Sequence, residues 1–137
     1  MKLILISIKN KILDIDNLKS ATIPTKAGEI TVLENHEPII SALKPGILKI
    51  SYNNKEECFA VGGGVLEING DKLTITADMV EPGDNLDIEE IKKKKFEAKK
   101  LMDSYRETNK QMDMDKYIEL EFEFLKESAK EQLALKK

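Results

Sequence analysis

A nucleophilic centre needs a base beside a serine, threonine or cysteine, and the chain has one histidine to offer, His36. It stands in PTKAGEITVLENHEPIISALKPG, residues 24–46, two positions before Pro38 and among the breakers Gly28, Pro45 and Gly46. A histidine beside a proline in a turn is structural or interface-forming unless a nucleophile converges on it. The one cysteine, Cys58, sits in a strand pattern far along the chain. Three consecutive glycines, Gly62, Gly63 and Gly64, invite a phosphate-loop reading. That loop requires a following helix and a Lys-Ser/Thr pair, whereas VLEI continues here as strand. Close backbone packing or a bulge at a strand corner accounts for the glycines better. MDMDKYIELE offers carboxylates, but no glycine or third oxygen ligand at calcium-loop spacing, so helix capping is the better account. The run Lys92–Lys95 reads as a solvated helix face and Glu56/Glu57 as surface charge beside a turn. No constellation has metal-ligand spacing. The sequence therefore predicts no catalytic centre, no metal and no cofactor.

The elements that carry these residues follow from composition and period. With 137 residues, 41% of them hydrophobic, the chain can bury a moderate core: one domain, or a small domain with an appendage. A net charge of −3 gives no nucleic-acid footprint. A single cysteine permits no internal disulfide and fits a reducing compartment. The apolar run Leu3–Ile8 is too short for a signal peptide or a membrane helix, so a soluble, cytoplasmic chain is expected.

Up to Pro82-Gly83, β-formers dominate in short runs: KLILISI, SATIP, EITVL, ILKISY, CFAV, VLEI and KLTITA. Asn53-Asn54, the three glycines and Asn69-Gly70-Asp71 separate some of them, which argues an antiparallel sandwich or barrel. EINGDKLTIT predicts a hairpin with Asn-Gly at the positive-φ turn positions. Beyond Gly83 there is neither glycine nor proline. Asp87 can cap a first helix, with Glu90 completing a capping box and Leu86 stapling onto Ile91. Its apolar stripe is Ile88, Ile91, Ala98, Met102 and Tyr105, interrupted by Lys95. A second helix starts at Asp113 or Asp115 and carries Ile118, Phe122, Leu125, Ala129 and Leu133 on one stripe. Joined through ETNKQMDMD, the two make a helical hairpin. Both stripes are narrow, which suits helices resting on each other, on the sandwich or on a partner. Phe122, Phe124 and Leu125 are candidates to cover an apolar patch of the β domain.

GEITVLENHEPIISALKPGILKI, then VGGGVLEINGDKLTITAD, then LDIEEIKKKKFEAKK, resemble in order and spacing the epsilon subunit of F-type ATP synthases. The resemblance implies an N-terminal sandwich of about ten strands, residues 1–85, and a C-terminal helical hairpin, residues 86–137. It implies a non-catalytic subunit of the central rotor stalk, carrying proton-driven rotation of the c-ring to ATP synthesis. The gamma subunit and the c-ring are the implied partners, with beta and alpha added if the hairpin extends. Gly28 and Glu29 match the turn that faces the c-ring. His36 and Pro38 match the turn near gamma, and Pro45, Gly46 and Gly62–Gly64 match structural turns. The implied place is the cytoplasmic face of a bacterial plasma membrane, or alternatively a plastid thylakoid, since no transit peptide precedes the match.

Two departures bear on the implied function. The family often has glycine where Thr31 stands. Some members bind ATP through Leu/Ile-Asp-x-x-Arg-Ala, whereas this chain has Leu86-Asp87-Ile88-Glu89-Glu90-Ile91. Glu90 sets a carboxylate where the guanidinium should pair with phosphate, so ATP binding to the hairpin is not expected. The family's hairpin can also restrain ATP hydrolysis. Residues 88–110 carry eight Lys/Arg against five Asp/Glu, and residues 113–137 five against seven, so only the first helix suits an acidic partner. The competing reading from another class is a free-standing β-sandwich binding module with the hairpin as a lid.

Overall fold

The computed structural model describes residues 1–8, 11–83, 86–108 and 113–135. Ten strands come first: β1 (Lys2–Ser7), β2 (Lys11–Ile15), β3 (Leu18–Thr25), β4 (Gly28–Leu33), β5 (Ile39–Leu43), β6 (Gly46–Tyr52), β7 (Lys55–Val61), β8 (Gly64–Asn69), β9 (Lys72–Ala77) and β10 (Val80–Pro82). Two helices follow, α1 (Ile88–Thr108) and α2 (Met114–Leu135). The strands hydrogen-bond in the order β10-β7-β6-β3-β5-β8-β9-β1-β2, with β4 paired to β3. Every pairing is antiparallel except β1 with β9. The sheet closes over one core in which Leu3, Leu5, Ile23, Val32, Leu48, Ile50, Leu66, Leu73 and Ile75 are fully buried. Alternation explains it: in β9 Leu73, Ile75 and Ala77 point inward while Lys72 and Thr76 face water.

Turn chemistry sets the registers. Asn53 and Asn54 both have positive φ, 50° and 60°, between the paired residues Tyr52 and Lys55. This is the two-residue primed turn whose twist suits a hairpin, and asparagine tolerates it well. The β8–β9 turn lies one residue later than the sequence suggests. Asn69 still pairs with Lys72, so Gly70-Asp71 form the loop, with Gly70 alone at positive φ (62°). Glycine at the first loop position fits a II′ turn.

Asp87 caps α1: its Oδ1 accepts from Glu89 N at 3.1 Å and Glu90 N at 3.3 Å. The reciprocal half of the expected capping box is replaced, because the Glu90 carboxylate pairs with Lys94 one turn on, at 3.1 Å. Asp113 rather than Asp115 caps α2, accepting from Asp115 N at 3.0 Å and Lys116 N at 3.4 Å. Residues 84–85, at the expected domain boundary, and 109–112, in the middle of the connecting segment, lie outside the described residues. The helices run antiparallel, with Lys95 bridging them. Its ammonium sits 3.3 Å from Glu131 and 5.7 Å from the centre of the Phe124 ring. The interruption in the α1 stripe is thus a cross-link between the helices.

α2 lies on the sandwich across β6 and β7, and α1 packs chiefly on α2. The apolar part of that contact is small. Ala60 of β7 meets Ala129 and Leu133 of α2, rimmed by the half-buried Ile47, Cys58, Met79 and Leu86. The expected cover by Phe122, Phe124 and Leu125 is replaced by this smaller set. Phe124 turns towards α1, while Phe122 lies on the glycine corner. Alanine at 60 and 129 lets helix and strand approach closely, where larger side chains would hold them apart.

Candidate functional site

The histidine has no nucleophile beside it. His36 follows β4 and Asn35, whose φ is 63°. Its Nδ1 lies 2.8 Å from the Glu37 carbonyl oxygen. A carbonyl only accepts, so Nδ1 carries the proton and the ring is held as part of the turn. Cys58 is instead on β7, under α2. Among the described residues no group of His, Cys, Asp and Glu could hold a metal ion.

The turn assigned to Gly28 and Glu29 is displaced. The loop is Lys26-Ala27, and Gly28 and Glu29 already pair with Thr25 and Pro24 as the start of β4. Gly28 keeps a turn role through its φ of 113°. Thr25, buried in β3, organises this corner, its hydroxyl donating to the Gly28 carbonyl and accepting from Ala27 N at 3.2 Å. Glu29 is exposed. His36 lies beyond the other end of β4, a strand that spans about 17 Å from Gly28 to Leu33. Pro38 is exposed beside His36, and Pro45 is buried ahead of β6. Gly46 belongs to β6, and there a Cβ would meet the Pro24 ring at 2.9 Å.

The outer face of the sheet across β5, β8, β9 and β1 mixes apolar and polar side chains. The registers align Ala42, Val65, Thr76 and Ile6 in one straight row across β5, β8, β9 and β1. The next row is Ile40, Glu67, Thr74 and Ile4, ending on Asp14 of β2. Ile40 is 73% exposed, Val65 49%, and Ile8 beyond β1 74%. Ile40 and Val65 face water in adjacent rows of neighbouring strands, while Thr74 and Thr76 of β9 separate them from the half-buried Ile4 and Ile6; large apolar side chains exposed side by side mark interaction surfaces. Sequence reasoning missed these rows because cross-strand pairing sets them, placing the half-buried Ile4 and Ile6 on the side opposite the core residues Leu3 and Leu5.

The glycine corner has a different task. Gly62 and Gly63 link β7 to β8, and Gly64 opens β8. Gly62 N donates to the Met79 carbonyl at 2.9 Å, and Asp78 N to the Gly63 carbonyl at 2.9 Å. A Cβ on Gly64 would meet the Thr76 carbonyl oxygen at 2.0 Å, so two strand backbones touch there. At Gly62 it would meet Asp78 Oδ1 at 1.9 Å and Lys126 Cε at 2.9 Å, and at Gly63 the Phe122 ring at 3.0 Å. The last two obstacles belong to α2. Lys126 Nζ lies 2.7 Å from Asp78 Oδ2 and 3.1 Å from Glu123 Oε1. Desolvation pulls the Lys126 pKa down, but hydrogen bonds to Asp78 and Glu123 outweigh it and leave the value raised.

At the start of α1, a cleft of about 160 Å³ is lined by Glu81, Asp87, Glu90 and Glu127, with Lys94 and Lys130. Glu127 Oε1 accepts from Lys130 at 3.4 Å, while its Oε2 is buried with no hydrogen-bond partner among the described residues. Hydrogen bonding to Glu90, and the charges of Glu90, Glu127 and Glu81, raise the Lys94 pKa. Four carboxylates against two ammonium groups make this cleft acidic.

Residues 1–83, more than half of the chain, match the family model described as ATP synthase, Delta/Epsilon chain, beta-sandwich domain. The chain belongs to the ATP synthase epsilon family. An ATP synthase epsilon chain of Desulfitobacterium hafniense is 38% identical over 80 residues, covering 58% of this chain and 61% of its own length. One of Chloroflexus aggregans is 36% identical over 83 residues, 61% of this chain and 60% of its own. The match thus spans about three-fifths of these relatives. A chain in the cryo-EM structure of Euglena gracilis mitochondrial ATP synthase, OSCP/F1/c-ring, superposes with a TM-score of 0.71 at 25% identity, covering 97% of this chain and 79% of that one. A chain of the Tetrahymena thermophila mitochondrial ATP synthase central stalk/c-ring, 18% identical, shares the fold with a TM-score of 0.61 over 94% and 96% of the two chains. These structural likenesses span the hairpin as well as the strands. No described helix is long and apolar enough to cross a membrane.

Proposed function

We propose that the chain is the non-catalytic epsilon subunit in the central rotor stalk of an F-type ATP synthase, coupling rotation of a membrane c-ring to ATP synthesis. It would sit peripherally, through the complex, on the cytoplasmic face of a bacterial membrane. The observation that carries this reading is the exposed pair Ile40 and Val65 on the neighbouring strands β5 and β8, on an outer sheet face that a partner would cover. His36 and Pro38 precede β5, the strand that carries Ile40, and the gamma subunit is the proposed occupant of that face. The corner at Gly28 and Glu29, at the opposite end of β4 from His36, is free to address the c-ring. The hairpin, attached chiefly through α2, is the element that could leave the sandwich to reach beta and alpha and restrain hydrolysis. ATP plays no part at the hairpin, because Glu90 and its acidic neighbours occupy the cleft.

Purification from membranes tests the reading: the tagged chain should bring down gamma and c subunits. Ile40→Lys with Val65→Lys should abolish capture of gamma while the circular dichroism spectrum is unchanged. Retention of gamma by that variant would refute the assigned face. A lid over a ligand is less well supported, since the cleft below the hairpin, about 160 Å³, falls short of the roughly 300–1,000 Å³ usual for small-molecule sites.

A further inference from the structure

Four observations converge on the corner where α2 meets the sandwich. First, Gly62 and Gly63 lack the side chains that would collide with Asp78, Lys126 and Phe122. Second, Lys126 is only 16% exposed although it ends in an ammonium, and it is gripped by Asp78 on the sandwich and Glu123 on its own helix. Third, Phe122 one turn earlier lies on Gly63 and under the Lys26 ammonium, 5.5 Å from the ring centre. Fourth, apart from that ring, the apolar contact is a small cluster of Ala60, Ala129 and Leu133 with a half-buried rim. A helix held by a large apolar face would need none of this. Here a phenylalanine and a lysine spaced i, i+4 plug into a seat that two missing side chains leave open.

We infer that the hairpin is held on the sandwich by a polar latch, Lys126 on Asp78 above Gly62-Gly63, and that opening this latch is the step that frees α2. If the rotor reading above holds, the latch sets how often the hairpin is available to the catalytic head. Electrostatics give the latch a signature that an apolar contact lacks. The pair is partly solvated, so added salt weakens it, whereas apolar docking is not weakened by salt. Losing a pair of this kind shifts an equilibrium by about fivefold.

Cys58 makes the latch measurable, because the chain's one thiol packs against the Ala60–Ala129–Leu133 contact that α2 covers. The experiment is the rate of Cys58 modification by a small disulfide reagent in the full-length chain, at low and high salt. Wild type should react faster as salt rises. Lys126→Met should react about fivefold faster than wild type at low salt and lose the salt response. Lys126→Arg should retain both wild-type behaviours. Gly63→Val should raise the rate with the charges intact, by pushing Phe122 off its seat. A wild-type rate in Lys126→Met, or a salt-independent rate in wild type, overturns the latch. So does loss of strand signal in Lys126→Met, since Lys126 has no place in the sandwich core. The measurement needs neither gamma nor c subunit, so its failure and a failed co-purification are separate results.

Discussion

Ending the chain after Leu86 removes both helices, and the structure says what the remaining strands lose. The sandwich core, from Met1 to Val80, contains no helical residue. What α2 covers is Ala60, fully buried, and part of Ile47, Cys58 and Met79. Two large side chains half-covered by the helix are equivalent to about one fully buried, worth roughly 1.5–3 kcal/mol. Loss of the Asp78–Lys126 pair adds about 0–1 kcal/mol. The expected destabilisation is therefore about 2–4 kcal/mol, within the roughly 5–15 kcal/mol of an ordinary domain. For a domain of this size that is a fall in Tm of roughly 10–30 °C.

Circular dichroism of residues 1–86 should show strands with no helix, and a cooperative melt at the lower temperature. The truncated chain should still co-purify with gamma and c subunits, and hydrolysis by the assembled complex should rise or stay level. An unfolded product, or one that cannot assemble, would refute the division of labour between strands and helices. An unchanged Tm would refute the docking contact itself.

Gly64→Ala should destabilise the sandwich severely, because its Cβ would lie 2.0 Å from the Thr76 carbonyl oxygen and backbone cannot yield as a side chain can; a thermal melt shows it. Asn54→Val, forcing a β-branched residue to a φ of 60°, should cost about 1–2 kcal/mol in a urea titration. Calorimetric titration with Mg-ATP should show no saturable binding at Asp87 and Glu90; micromolar binding lost in Asp87→Ala would reverse that conclusion. The raised Lys126 pKa places the folded value above the unfolded one, so its contribution is complete below the ordinary lysine value of 10.5 and disappears as pH rises through the folded value. Helix melting followed at 222 nm should accordingly weaken at strongly alkaline pH, and weaken less in Lys126→Met.

Seven of the ten strands announce themselves by runs of β-formers, and the three that do not are β2, β5 and β10. β2 follows β1 across a break too weak to separate KLILISI from KILDI, and β10 has three residues. β5 lies in a stretch where Pro38 and Pro45 read as turns, although both prolines flank the strand and neither interrupts it. The helix caps were legible because one side chain bonding the backbone two or three residues on is a local event, and Asp87 and Asp113 each perform it. The II′ turn was placed one residue early because Asn-Gly and Gly-Asp compete within Asn69-Gly70-Asp71, and only cross-strand pairing decides between them.

The surfaces were much less legible than the elements, for a reason that the triple glycine illustrates. Sequence alone shows that something comes close to Gly62–Gly64, but three different neighbours use the three positions. Gly64 admits the backbone of Thr76 and Ala77, Gly63 the ring of Phe122, and Gly62 the Asp78–Lys126 pair. Phe122 and Lys126 lie some sixty residues further on, on a helix whose stripe pointed to Phe122 and Ala129 and passed over the lysine. The outer face is subject to the same limit. Ile4 and Ile6 are indistinguishable in type from the core residues Leu3 and Leu5, and only the partners across β9 and β8 put Val65 and Ile40 in line with them. Local chemistry is written in neighbouring residues; a docking face is written in registers, and registers exist once the chain has folded.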